Sequence, residues 1–167
     1  DDFNLIADQV NPTLGSELIT NGGASGQTDW VDTDGNGEAD GWDGMSNGSI
    51  VTGNGFTGNA QRDDSDGTAS IQIYTTGSSV ISANTTYKFS LKYRASHQVG
   101  LYTQGGSTQI GNVSANTGDA IEHTRYINES SGGEIRLYMP SGAGRYLEID
   151  EVSLKEVNGN PGLMTNM

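Results

Sequence analysis

Residues 86–96 read T-Y-K-F-S-L-K-Y-R-A-S and alternate apolar and polar side chains without a break. Tyr87, Phe89, Leu91 and Tyr93 share one face, and Lys88, Ser90, Lys92 and Arg94 share the other. A period of two is that of a β-strand with one buried face. Working outward, similar short runs lie at residues 16–20, 49–52, 56–62, 69–75, 79–83, 99–104, 108–114, 120–128, 134–140 and 145–157, separated by Gly-, Asn- and Asp-rich turns. No segment of about ten residues shows a helical period, and strands spaced about 8–12 residues apart indicate an all-β antiparallel sandwich or barrel. Residues 1–15 have no clear period and contain Pro12, so they read as an arm or linker suited to docking on another subunit. Residues 158–167 read as a C-terminal linker, and a chain starting at Asp1 reads as a part of something longer.

The last run changes phase. Leu147 and Ile149 share one face, whereas Val152 and Leu154 have the opposite parity. A β-bulge between Asp150 and Glu151 does this by setting two residues opposite one. Asp150 then points at a metal or a loop backbone, or simply bonds a turn.

An acidic stretch, D-T-D-G-N-G-E-A-D-G-W-D, spans residues 32–43. Asp32, Asp34, Asn36, Asp40 and Asp43 fall at loop positions 1, 3, 5, 9 and 12, Gly37 at position 6 and the Glu38 carbonyl at position 7. That spacing wraps a Ca²⁺ ion in six to eight oxygens. The other reading is a solvated acidic turn, since Asp, Asn and Gly form turns readily. Flanking helices are missing, so the loop is like the Asp-rich calcium loops of dockerin or thrombospondin-type repeats, set in a β domain. Trp30 and Trp42 bracket it and are expected to pack beneath it.

With 21 acids against 8 bases the chain carries a formal charge of −13. Such a surface repels phosphate backbones and argues against nucleic acid as partner. There is no cysteine, which excludes disulfides and thiolate metal sites. No run approaches the roughly 18 apolar residues of a membrane span. The only imidazoles, His97 and His123, have no Ser or Cys nucleophile motif beside them, and the acids cluster in turns, so no enzyme activity is expected. Sugar binding needs aromatic planes flanked by hydrogen-bonding groups. The polar strand faces offer Tyr102 with Gln104, Tyr138 with Arg136, and Lys92 with Arg94. The expected ligand face therefore comprises Arg94, Tyr102, Gln104, Arg136 and Tyr138. The competing reading has these tyrosines covering a second sheet or a subunit interface.

Four stretches carry a family resemblance: E-L-I-T-N-G-G (17–23), the acidic loop to Trp42, T-T-Y-K-F-S-L-K-Y-R-A (85–95) and Y-L-E-I-D-E-V-S-L-K-E-V (146–157). Over residues 16–157 the chain resembles carbohydrate-binding-module jelly rolls of the family 4/9/22 type, found on bacterial glycanases and in phage tail and virion proteins. The resemblance implies a two-sheet jelly roll with structural calcium, a sugar-binding concave face, and Asp150 as a calcium ligand. An aromatic and an acid commonly follow N-G-G in that family; here Ala24 and Ser25 follow, leaving Glu17 or backbone carbonyls as the first-strand ligand. The tail N-G-N-P-G-L-M-T-N-M resembles the linker after such domains in phage structural proteins. The expected role is a non-catalytic, calcium-stabilised module of a virion or extracellular protein, attaching to a glycan or cell-surface polysaccharide. The alternatives are a virion contact module without glycan, joined to other subunits through residues 1–15, and a binding module of a secreted glycanase.

Overall fold

The structure, a computed structural model, describes residues 12–76, 80–103 and 108–158. Eleven strands follow one another: β1 (Leu14–Glu17), β2 (Trp42–Asp43), β3 (Gly48–Thr52), β4 (Asn59–Asp64), β5 (Ile71–Thr75), β6 (Thr86–Ala95), β7 (Val99–Thr103), β8 (Thr108–Val113), β9 (Asn116–Asn128), β10 (Arg136–Met139) and β11 (Tyr146–Val157). One sheet has the order β3-β4-β11-β6-β9, with β1 also on β11; the other has the order β2-β5-β10-β7-β8. Every strand pairing is antiparallel, and no helix occurs among the described residues. The expected two-sheet sandwich is the observed fold.

The alternation in β6 does what its period requires: Tyr87, Phe89, Leu91 and Tyr93 are buried. They join Leu147, Ile149, Val152 and Leu154 of β11, and Ile71, Ile73, Leu101, Leu137 and Met139 of the facing sheet, in a single core. Each such side chain contributes about 1.5–3 kcal/mol on burial.

Several boundaries differ from the sequence reading. β1 starts at Leu14, directly opposite Val157, so the last residues of the expected arm belong to the sheet. Residues 1–11 and 159–167 lie outside the described residues. The strand expected at 79–83 is a single bridge between Ile81 and Gly133, and Phe56 sits in the turn before β4.

The phase change in β11 is a bulge, with pairing to β6 shifting between Asp150 and Ser153. Glu151 takes φ 49° there, a left-handed conformation that side chains other than glycine rarely adopt. The Val152 N–H donates to the Gly22 carbonyl at 2.7 Å, docking the 20–30 segment into the bulge. Gly23, at φ 73°, abuts Asp150; a Cβ there would lie 1.9 Å from Asp150 Oδ1.

Sheet one ends in the edge strand β9, 13 residues long. His123 and Arg125 lie opposite Leu91 and Phe89 and so share the core-facing side of the strand. A Cβ on Gly111 of β8 would overlap Arg125 Nη1, so the guanidinium fills the space that glycine leaves. Burial, and secondarily the Arg125 charge, hold the His123 pKa below the ordinary value.

Gly23→Ala is expected to cost more than about 3 kcal/mol, because overpacking adds to backbone strain. Gly26→Ala meets no atom within 4 Å although its φ is 89°, so it should cost only about 1–2 kcal/mol. Urea unfolding of both variants checks the contrast; equal costs would disprove the packing role of Gly23.

Candidate functional site

Three of the residues expected to bind ligand come together on the outer face of the second sheet. Arg136 pairs with Tyr74 on β5 and Tyr102 on β7, while Tyr138 pairs with Gln72 and Gly100. The Tyr102 and Tyr138 rings meet edge-to-face at 6.0 Å. A Cβ on Gly100 would fall 2.5 Å from the Tyr102 ring, so glycine lets that ring lie along the strand. The Arg136 guanidinium stands 4.3 Å from the centre of the Tyr74 ring, donates through Nη1 to Gln72 Oε1 at 2.8 Å, and through Nε to Glu134 Oε1 at 2.8 Å. The result is a half-buried patch of three phenol rings around one fixed arginine.

Sequence reasoning missed Tyr74, Gln72 and Glu134. The signal was present for the first two, because Ile71, Ile73 and Thr75 are buried and alternate with them in the expected strand. Gln104 lies outside the described residues. Arg94 is not part of this face. It belongs to β6 of the other sheet, whose outer surface points the opposite way, and donates to Glu148 Oε2 at 2.5 Å and to the Thr117 and Gly118 carbonyls. Glu148 is fully buried between Arg94 and Arg62, and both guanidinium groups lie over the Tyr146 ring. Removing one partner of such a buried pair typically costs about 3–5 kcal/mol.

The acidic loop is tightly built. Asp32 accepts from the Gly35 and Gly37 N–H groups at 2.8 and 2.9 Å, Asp34 from Asn36 N, and Asn36 Oδ1 from Glu38 N. The N–H groups of Gly37 foremost and of Gly35 after it hold the Asp32 pKa below the usual carboxylate value. Gly37 takes φ 91° at the expected sharp turn. The remaining acids point elsewhere. Asp40 receives the Thr33 N–H and hydroxyl, the Glu38 carboxylate receives the Met45 N–H, and Asp43 lies in β2 with its carboxylate on Gly44 N. Among the described residues no three His, Cys, Asp or Glu side chains gather into a metal-holding group.

Two buried amides fix this loop to the sandwich. Gln61 donates to the Gly37 carbonyl and accepts from Ala39 N, both at 2.8 Å, gripping Glu38 from either side. Asn21 bonds Val31 through both its N–H and carbonyl, and also the Asp40 carbonyl. Trp30 and Trp42 pack against each other beneath, with ring centres 5.0 Å apart and planes tilted by 41°.

Asp150 is fully buried. Its Oδ1 accepts from Trp30 Nε1 at 2.9 Å and from Glu151 N at 2.6 Å, while Oδ2 has no partner. Burial raises its pKa, opposed by those two hydrogen bonds. Gln27 Oε1, packed against Gly22, is likewise buried without a partner. Unpaired buried oxygens are costly, and a hard cation is what such oxygens suit. Glu17, the other expected contributor, is already committed: its carboxylate accepts from Leu18, Ile19 and Leu154 N–H groups and the Ser153 hydroxyl.

No family model and no curated protein sequence matches the chain. Solved structures do. The CBM22-1 and GH10 modules of a Clostridium thermocellum endo-1,4-β-D-xylanase, solved with xylohexaose, align with a TM-score of 0.58 at 14% identity, over 85% of this chain and 29% of that one. A family 29 carbohydrate-binding module variant aligns with a TM-score of 0.50 at 11% identity, over 88% of this chain and 94% of that one. The fold is that of the carbohydrate-binding-module jelly rolls.

Proposed function

We propose that this domain is a non-catalytic carbohydrate-binding module whose Tyr74–Arg136–Tyr102–Tyr138 face takes a glycan. The observation that carries this reading is the convergence of three partly exposed tyrosines and a pre-oriented arginine on one sheet of that fold. Phenol rings offer planes to pyranose C–H faces, and Arg136 and Gln72 offer groups for hydroxyls. Glu134 neutralises Arg136 and the Asp43 carboxylate stands opposite Tyr74, so the face suits an uncharged chain rather than an anionic one. Binding on an open face is modest, because little surface is buried and side chains must be ordered. The module acts outside the cell, on a secreted glycanase or on a virion surface; the likeness to a xylanase module supports the first setting, and the resemblance of the tail to a phage linker supports the second.

Tyr102→Ala and Tyr138→Ala should each weaken glycan binding at least tenfold on a glycan array and in calorimetry, with thermal melts close to the parent. Parent-like binding by both variants would show that this face is not the site. A parent that binds no glycan, with residues 1–15 required for assembly, would favour the structural contact module instead.

Calcium is the second part of the proposal. The spacing of oxygens supports it: Asp32, Asp34, Asn36 and the Glu38 carbonyl would hold one ion, with water and a small opening of the loop completing the six to eight oxygens it takes. Asp150, with its unpartnered Oδ2, would hold another. A ligand that binds only the folded state adds about 2.7 kcal/mol at a hundredfold excess over Kd. For a domain of this size that raises Tm by roughly 5–10 °C. Asp34→Ala should remove part of the rise. Asp150→Asn should melt below the parent in calcium, yet at or above it in chelator, where it relieves a buried charge. Identical parent melts with calcium and with chelator would eliminate the metal.

A further inference from the structure

We propose that the outer face of the first sheet, opposite the tyrosine–arginine face, is a second binding surface, and that it takes an acidic glycan. The strand registers lay out its groups. Lys155 of β11 stands directly opposite Lys88 of β6, which stands opposite Tyr126 of β9. The next row is Ser153, Ser90 and Thr124, and beyond it Lys92 faces Glu122.

Like charges directly opposite one another destabilise a sheet unless something lies between them. Here the local acids do not answer the pair. Among the described residues Lys88 has no ion pair within 4.0 Å. Lys155 reaches only Glu17, at 3.8 Å, and that carboxylate already accepts four shorter hydrogen bonds. By contrast, Lys92 on the same face is matched to Glu151 at 2.7 Å, and that bond raises its pKa.

The remaining groups specify the rest of the ligand. Tyr126 is 53% exposed beside Lys88 and offers an open ring to a sugar C–H face. A recess of about 180 Å³ adjoins the serine row, walled by Ser25, Lys92, Glu122 and Glu151. Hydroxyls, one ammonium and two carboxylates in that recess match a polyhydroxylated ring, with donors and acceptors both present. The two lysines match a ring carboxylate. A neutral glycan would leave them unanswered. A polyphosphate would set further charge against Glu122 and Glu151, where a glycan places hydroxyls. At physiological salt the field of the chain's net negative charge is screened beyond roughly 8 Å, so the lysine pair still governs an anion at contact.

The test uses the full chain carrying Tyr102→Ala and Tyr138→Ala, so that the opposite face is silent whether or not it binds glycan. A hyaluronan hexasaccharide, which alternates uronic acid and N-acetylglucosamine, is titrated by calorimetry against hexa-N-acetylchitohexaose, an uncharged oligomer of N-acetylglucosamine. Hyaluronan should bind at least tenfold more tightly, and its affinity should fall as salt rises to 0.5 M. Lys88→Gln, Lys155→Gln and Tyr126→Ala should each reduce that affinity tenfold or more with unchanged thermal melts. Arg145→Gln, a change of equal charge elsewhere, should leave it intact. No hyaluronan binding, equal affinity for the uncharged oligomer, or an equal loss with Arg145→Gln would overturn the proposal.

Discussion

The hydrogen bond from Trp30 to Asp150 is where the two sheets and the acidic loop are made to agree. A carboxylate taken out of water costs several kcal/mol unless it is answered. Asp150 is answered at one oxygen, Oδ1, by the Trp30 indole and by an amide that the bulge turns inward. Trp30 packs against Trp42, which belongs to the other sheet and donates its own indole N–H to the Asn21 carbonyl. Asn21 in turn holds both ends of the acidic loop through Val31 and Asp40. One continuous set of polar contacts therefore runs from the bulge of β11 through the tryptophan pair to the loop, and each member fixes the next.

The two outer faces of the sandwich differ in how they handle charge. On the second sheet the single arginine is neutralised by Glu134 and stacked on Tyr74, leaving an aromatic surface with the Asp43 carboxylate at its edge. The outer face of the first sheet carries five of the eight basic residues: Arg62, Lys88, Lys92, Arg94 and Lys155. Three of them are matched closely to acids on the same face, and the Lys88–Lys155 row is not. The excess negative charge of the chain resides instead in its turns, so charge and aromatic surface are segregated by the fold.

Much of this was legible in the sequence because a strand has a strict period. The alternation in β6 and the parity break in β11 named the buried side chains and the bulge. The face of an individual residue was legible too, but not the sheet to which its strand belongs. Arg94 and Tyr102 both alternate with apolar neighbours, and only the strand order places them on opposite sides of the sandwich. Loop chemistry was partly legible: spacing identified the turn at Gly37. It did not show that Asp43 would be drawn into β2, or that Gln61 and Asn21 would clamp the loop. Those contacts join residues far apart in the chain and leave no local pattern.

The edge strand β9 has a consequence for the behaviour of the molecule in concentrated solution. A long strand with unpaired amides along one side is a template on which another chain can grow a sheet. His123 and Arg125 sit on its core-facing side, where an apolar residue would pack, and Arg125 is seated against Gly111. A partner strand extending the sheet would have to cover these polar groups and deepen the burial of the Arg125 charge. Polar side chains turned inward at the rim thus act as a stop against runaway polymerisation. The domain keeps a long, regular border because the cost of extending it is built into the side chains behind it.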